Sequence, residues 1–188
     1  MAAGQTLRYD FGIQAGAAVL KYGAATPLWY AVRVRSNFER TVSTFLAQKA
    51  VEHFLPTYRS RRIWADRIKT LDMPLFPGYV FCRIPVEERN RVLTTSGVVD
   101  LVGAGRHAIP IADTEIEAIR ALVHSQVAAE PWPFLKIGQT VQVRRGPLAG
   151  LEGILIKTKN SHRLIVSVTL LERSVAAEID SAYVSPVN

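Results

Sequence analysis

Arg59, Arg61, Arg62, Arg67 and Lys69 fall within residues 59–69, where Asp66 is the lone acid. Guanidinium groups grip phosphate oxygens in pairs, and Trp64, inside the same run, offers a ring on which an unpaired base can stack. The chemistry of such a set is nucleic-acid contact, mainly electrostatic and weakened by salt. Arg35 and Lys49 are further cations suited to the same role. A charge cluster of this kind is also what a solvated hairpin carries, and both readings stand. Catalytic sets are missing from the pattern. Cys82 sits in the apolar run Tyr79-Val80-Phe81-Cys82, as a buried, inert thiol would. His53, His107, His124 and His162 are scattered without ligand spacing, and no Ser-His-Asp or Cys-His set stands out. The glycines between Gly146 and Gly153 do not open a helix, as a phosphate-cradling loop would. The expectation is a binding protein, not an enzyme, with neither metal nor cofactor.

The chain has 188 residues, 48% hydrophobic and 21% charged, which is enough apolar material for one domain or two small ones. Lysine and arginine outnumber the acids 23 to 16, giving +7 and a pI near 9.9. That balance fits a polyanionic neighbour or plain solubility. The excess is shared: residues 29–133 carry 14 basic and 11 acidic groups, and residues 134–188 carry 7 and 4. One cysteine cannot form an internal disulfide, so a reducing, cytoplasmic setting is expected. No apolar run approaches the roughly 18 residues of a membrane span. Residues 1–27 read as a poorly ordered leader.

These residues must be positioned by elements that the pattern outlines. Trp29 to Val34 is β-rich. Ser36 and Glu39 stand at capping-box spacing ahead of a helix whose Phe38, Val42, Phe45 and Leu46 share a face. A strand is expected over His53 to Tyr58, then the basic arm, then a central strand from Tyr79 to Ile84. Pro85-Val86-Glu87-Glu88 opens a short helix, with proline and acids in its first turn. Val98 to Val102 reads as a strand, and Asp113 caps a helix whose Ile116, Ile119, Arg120 and Val123 align. The order β-α-β-β-α-β-α over residues 28–125 predicts an α/β sandwich with a mostly antiparallel sheet.

Residues 126–133, with Pro131-Trp132-Pro133, read as a linker. Residues 134–188 differ in kind. Alternating Thr140 to Arg144, a turn-rich stretch to Gly153, and short runs over Gly153–Thr158, Leu164–Leu171 and Val175–Ile179 predict a small β-barrel, making the whole chain α+β. Gly146, Gly150 and Gly153 would permit turns where a side chain clashes.

Two stretches carry a resemblance. Residues 136–154, from Lys136-Ile137-Gly138 to Leu151-Glu152-Gly153-Ile154, resemble the KOW motif. Trp29-Tyr30-Ala31-Val32 with Leu75-Phe76-Pro77-Gly78-Tyr79-Val80-Phe81 resembles the N-terminal domain of NusG. Together, in this order, the chain resembles the NusG family from Trp29 onward. The basic arm and Pro74-Leu75-Phe76-Pro77 look more like its specialised paralogues, such as RfaH and the antiterminators of polysaccharide operons. A general NusG, or a ribosomal or RNA-binding KOW protein, is the alternative.

The resemblance implies a monomeric transcription elongation factor that binds RNA polymerase across the clamp, suppresses pausing and termination, and carries an SH3-like KOW barrel. By position, Tyr30, Phe76, Pro77, Tyr79 and Phe81 would meet the clamp helices, unless they are simply core. Arg89, Asn90 and Arg91 occupy the place where relatives touch the gate loop, with Thr94 and Thr95 nearby. Non-template and upstream DNA would pass the arm. Leu170, Leu171 and Arg173 match the region that relatives use for a small-subunit ribosomal protein or Rho. Two adjacent leucines on a strand point to opposite faces, so one is expected to be exposed unless a bulge intervenes. Some relatives refold the barrel as a helical hairpin, but the β-branched residues of 151–157 and 164–171 favour strands here.

Overall fold

In the computed structural model, residues 26–64, 67–105, 107–125, 127–134, 138–157 and 162–187 are described, with backbone alone at 61–64, 67–69 and 133. The expected leader, apart from Thr26 and Pro27, together with Asp66 and Lys136, therefore lies outside the description.

β1 (Leu28–Val34) is rich in β-branched and aromatic residues and occupies the interior of a four-stranded antiparallel sheet. α1 (Glu39–Gln48) follows, then β2 (Glu52–Phe54), β3 (Thr57–Trp64), β4 (Arg67–Pro74) and β5 (Tyr79–Ile84). A 3-10 turn (Val86–Glu88) leads into α2 (Arg89–Leu93), β6 (Val98–Leu101), the small ribbon of β7 (Gly103–Ala104) and β8 (His107–Ala108), and α3 (Asp113–His124). The sheet order is β2-β5-β1-β6, while β3 and β4 form a separate hairpin, which is the basic arm.

Alternation along β1 and β5 divides the core in two. Tyr30, Val32, Val80 and Cys82 pack with Val42 and Leu46 of α1 and Val92 of α2. Trp29, Ala31 and Phe81 face the other way, under Ile116, Ile119 and Leu122 of α3. Each such aliphatic side chain, fully buried, contributes about 1.5–3 kcal/mol.

Two local expectations differ. The Ser36–Glu39 capping box does not form: Asn37 turns the chain at φ +64°, Phe38 takes the N-cap, and no side chain caps the helix. The Glu39 carboxylate is drawn instead to a tertiary partner. The expected strand over His53–Tyr58 is split at Leu55-Pro56, because proline has no N–H for a ladder.

Cys82 is fully buried, and burial pushes its thiol from 9.0 up to about 12. The unfolded chain ionises this thiol first, so its contribution to stability is complete below pH 9 and is lost as pH rises toward 12. Between pH 9 and 10 we expect urea unfolding to lose about 1 kcal/mol through this group. A Cys82→Ala variant should show a shallower decline, and an unchanged slope would count against the assignment.

β9 (Ala129–Pro133) arises in the stretch expected to be linker. It pairs with β13 as the edge of a six-stranded antiparallel sheet ordered β14-β10-β11-β12-β13-β9. The other strands are β10 (Gln139–Val143), β11 (Glu152–Lys157), β12 (His162–Val168), β13 (Arg173–Ile179) and β14 (Val184–Pro186). Arg163 ties β9 to this sheet, its guanidinium 4.7 Å from the Trp132 ring and ion-paired with Glu130. The interior is made by Val141, Val143, Leu164, Val166, Val168, Val175 and Ala177, continuous with the cluster under α3. No described helix is long and apolar enough to cross a membrane.

Candidate interaction surfaces

Phe76-Pro77-Gly78-Tyr79 forms a tight turn between the hairpin and β5. Tyr79 N–H donates to the Phe76 carbonyl at 3.1 Å, and Gly78 holds φ +87°, where a side chain would be strained. The turn is pinned twice. Gly78 N–H donates to the Glu39 carboxylate at 2.8 Å, and Val34 N–H donates to the Gly78 carbonyl at 2.9 Å. Glu39 is only 6% exposed, so this charge-assisted bond matters more than one in water.

The pin presents Pro77 exposed and Tyr79 half-buried. Phe76 and Phe81 lie beneath, buried and edge-to-face at 5.5 Å. Phe54, not singled out from sequence, stands beside Phe81 at 6.3 Å and is half-buried, which widens the apolar surface. Its register partner on β5 is Phe81, a pairing that no local sequence pattern signals. Tyr30 is separated from this group. It is buried on the opposite face of the sheet, paired with Cys82, and its phenol pKa is raised by burial and then by Glu87 and Cys82. Of the five residues expected at the clamp, the structure gathers Phe76, Pro77, Tyr79 and Phe81, with Pro77 and Tyr79 reaching the surface.

Arg120 holds α3 over this face. Its guanidinium lies 4.8 Å from the Trp29 ring and 5.4 Å from Phe54, and it pairs with Glu117 at 2.9 Å and Glu52 at 3.6 Å. Helical spacing had placed Arg120 on the inward face, and the two rings give the cation a reason to be there.

The cations are distributed unevenly. Arg59 is exposed on β3 opposite Asp72, and Arg35 is exposed after β1. The ribbon pairs Arg61 with Thr70, Arg62 with Lys69 and Trp64 with Arg67, although the side chains of these basic residues and Trp64 lie outside the description. Lys49 is engaged within the fold. Its Nζ donates to the Arg91 carbonyl and Thr95 Oγ1, both at 2.8 Å, and to Thr94 Oγ1 at 3.3 Å. Arg91 returns a bond to the Lys49 carbonyl at 2.6 Å and pairs with Glu88. Two residues expected at different partners thus tie α1 to α2. Arg89 and Asn90 remain exposed.

In the second unit, Thr169–Leu171 form a 3-10 turn between β12 and β13, ending in Glu172 at φ +48°. The turn abolishes the period of two, so the expected exposed leucine is not seen: Leu171 is buried and Leu170 half-buried against the same apolar cluster. Arg173 is exposed. The turn meets α3, where Thr169 N–H donates to the Glu115 carboxylate at 3.3 Å. Gly146 and Gly150 serve the β10–β11 turn at φ +84° and +91°. Gly153 instead lies on β11, where a Cβ would stand 2.5 Å from the Ile165 carbonyl oxygen.

Comparison with known proteins identifies the family. A family model described as "Transcription termination factor nusG" matches residues 27–120, half of the chain. The transcription termination/antitermination protein NusG of Helicobacter pylori is 23% identical over 164 residues, covering 80% of this chain and 93% of that protein. Its Thermus thermophilus counterpart is 26% identical over 177 residues, covering 83% and 96%. The solved structure of Thermotoga maritima NusG shares the fold at a TM-score of 0.54 and 23% identity, covering 88% of this chain and all of that one. The matched family model spans half of the chain, and this chain belongs to the NusG family.

Proposed function

We propose that the chain is a transcription elongation factor that docks on RNA polymerase across the clamp and suppresses pausing and termination. It acts in the cytoplasm as a monomer without catalysis of its own. The pinned turn supports this reading: a proline and a tyrosine are held at the surface over a rigid aromatic base, the arrangement of an interface anchor with its ordering already done. The arm, with Arg59 at its exposed base, lies alongside non-template or upstream DNA. Arg89 and Asn90 are the cation and the amide left for the gate loop. The barrel recruits a small-subunit ribosomal protein or Rho through Leu170, Leu171 and Arg173. Those leucines are packed toward α3, so that contact opens before a partner takes them. The basic arm favours an operon-specific antiterminator over a general NusG.

The test is binding of the full chain to a paused transcription complex, wild type against Tyr79→Ala, with circular dichroism as the fold check. A hot-spot tyrosine is worth about 2 kcal/mol, so affinity should fall roughly thirtyfold. Equal binding by a folded variant would remove the turn from the interface. Failure of the wild type to bind, with tight binding of free RNA, would favour an RNA-binding KOW protein instead.

A further inference from the structure

Arg33 is the one exposed residue of β1, an interior strand of the four-stranded sheet. Alternation puts it on the face of Trp29 and Ala31, which are buried with the inward residues of α3. That face therefore runs on past the helix, and its next row across three strands is Tyr79, Arg33 and Asp100. Tyr79 is the half-buried ring of the pinned turn, in which Pro77 is exposed. Arg33 Nε donates to Asp100 Oδ1 at 3.0 Å, and Nη2 donates to Oδ2. The fork fixes the guanidinium plane. It also raises the arginine pKa above its usual value, first through the hydrogen bond and then through the carboxylate's charge. Two of the five guanidinium donors are used, which leaves three, and no other described residue accepts from them. An exposed ion pair adds little to stability, so stability does not account for a charge on a central strand.

We propose that Arg33 is a specificity-determining contact beside Tyr79, its free donors taking a carboxylate on the polymerase surface that the turn docks against. The inference rests on the docking reading and adds to it the charge that the partner carries next to its apolar patch. Both Asp100 oxygens are engaged, and the Arg33 side chain is the more exposed of the two, 54% against 41%, so the group offered outward is the cation. A carboxylate matches a guanidinium in plane and in the spacing of its oxygens. Asp100 has already ordered a long, flexible side chain, so less freedom is lost when the partner arrives. The tyrosine supplies apolar area, and the arginine rejects partners that bring a cation or no charge to the same place.

The experiment is binding of the full chain to a paused transcription complex, with urea unfolding of every variant. Arg33→Ala should bind roughly tenfold more weakly, with its unfolding midpoint close to that of the wild type. Arg33→Lys should recover little of the loss, because an ammonium lacks the fork. The exchange of Arg33→Asp with Asp100→Arg separates a contact from a brace. It keeps the ion pair but moves the cation to the β6 edge, so binding should be at least as weak as in Arg33→Ala. The loss should shrink between about 50 and 200 mM salt, and a loss indifferent to salt would overturn the carboxylate. Wild-type binding by Arg33→Ala, or by the exchanged protein, overturns the proposal, and a loss by Tyr79→Ala in the same assay then leaves the docking reading intact. Weakening by Arg33→Ala and none by Tyr79→Ala would support this contact and remove the ring from the interface. A wild type that does not bind overturns both.

Discussion

Phe81→Ala is expected to destabilise the N-terminal unit by about 3–5 kcal/mol and to abolish the proposed polymerase docking by loss of fold. Phe81 is fully buried on a central strand, between Phe54 at 6.3 Å and Phe76 at 5.5 Å. Removing its ring leaves a cavity that α3 cannot fill, because Arg120 fixes that helix over Trp29 and Phe54. Small domains have about 5–15 kcal/mol in total, so the loss consumes much of the margin. Urea unfolding monitored by tryptophan fluorescence measures it, and a loss below about 1 kcal/mol would show that the site collapses or that the ring is less enclosed. Set beside Tyr79→Ala, the variant separates two meanings of one motif. Both residues lie on the same face of β5, yet one supports the surface and the other forms part of it.

Gly153→Val should unfold the six-stranded C-terminal sheet while the N-terminal unit persists. A Cβ at this position would stand 2.5 Å from the Ile165 carbonyl oxygen and 3.0 Å from Leu164 Cδ1. The first neighbour is backbone, so β11 and β12 must part where Ile154 pairs with Ile165. Overpacking of this kind costs about 1–3 kcal/mol, and a unit of this size has little to spare. Hydrogen exchange should show amides of β10 to β13 losing protection while those of β1 and β5 keep it. Retained protection in β11 and β12 would mean that the strands accommodate the side chain. The proposed docking to the polymerase should survive, and the proposed recruitment through Leu170 and Leu171 should not. Some softening of α3 is expected, since Val168 and Leu171 belong to the cluster that covers it.

The sequence alone determined the elements with strong local patterns. The β-rich run at Trp29–Val34, the apolar run at Tyr79–Ile84 and the helical spacing of Val42 and Leu46 are local patterns, and local backbone sterics suffice to read them. The glycine-rich turn and short strands likewise announced a small antiparallel β unit. Tertiary structure alone decided which members of each motif meet. Tyr30 and Phe81 both lie in strands of the resemblance, but alternation across a paired sheet sends them to opposite faces. Lys49 and Arg91 become one knot only when α1 and α2 pack. Glu39 abandons its helix for an amide 39 residues away. Leu170 and Leu171 escape strand alternation because a 3-10 turn folds them toward α3. Such pairings depend on contacts between residues far apart in the chain, which no window of local sequence contains.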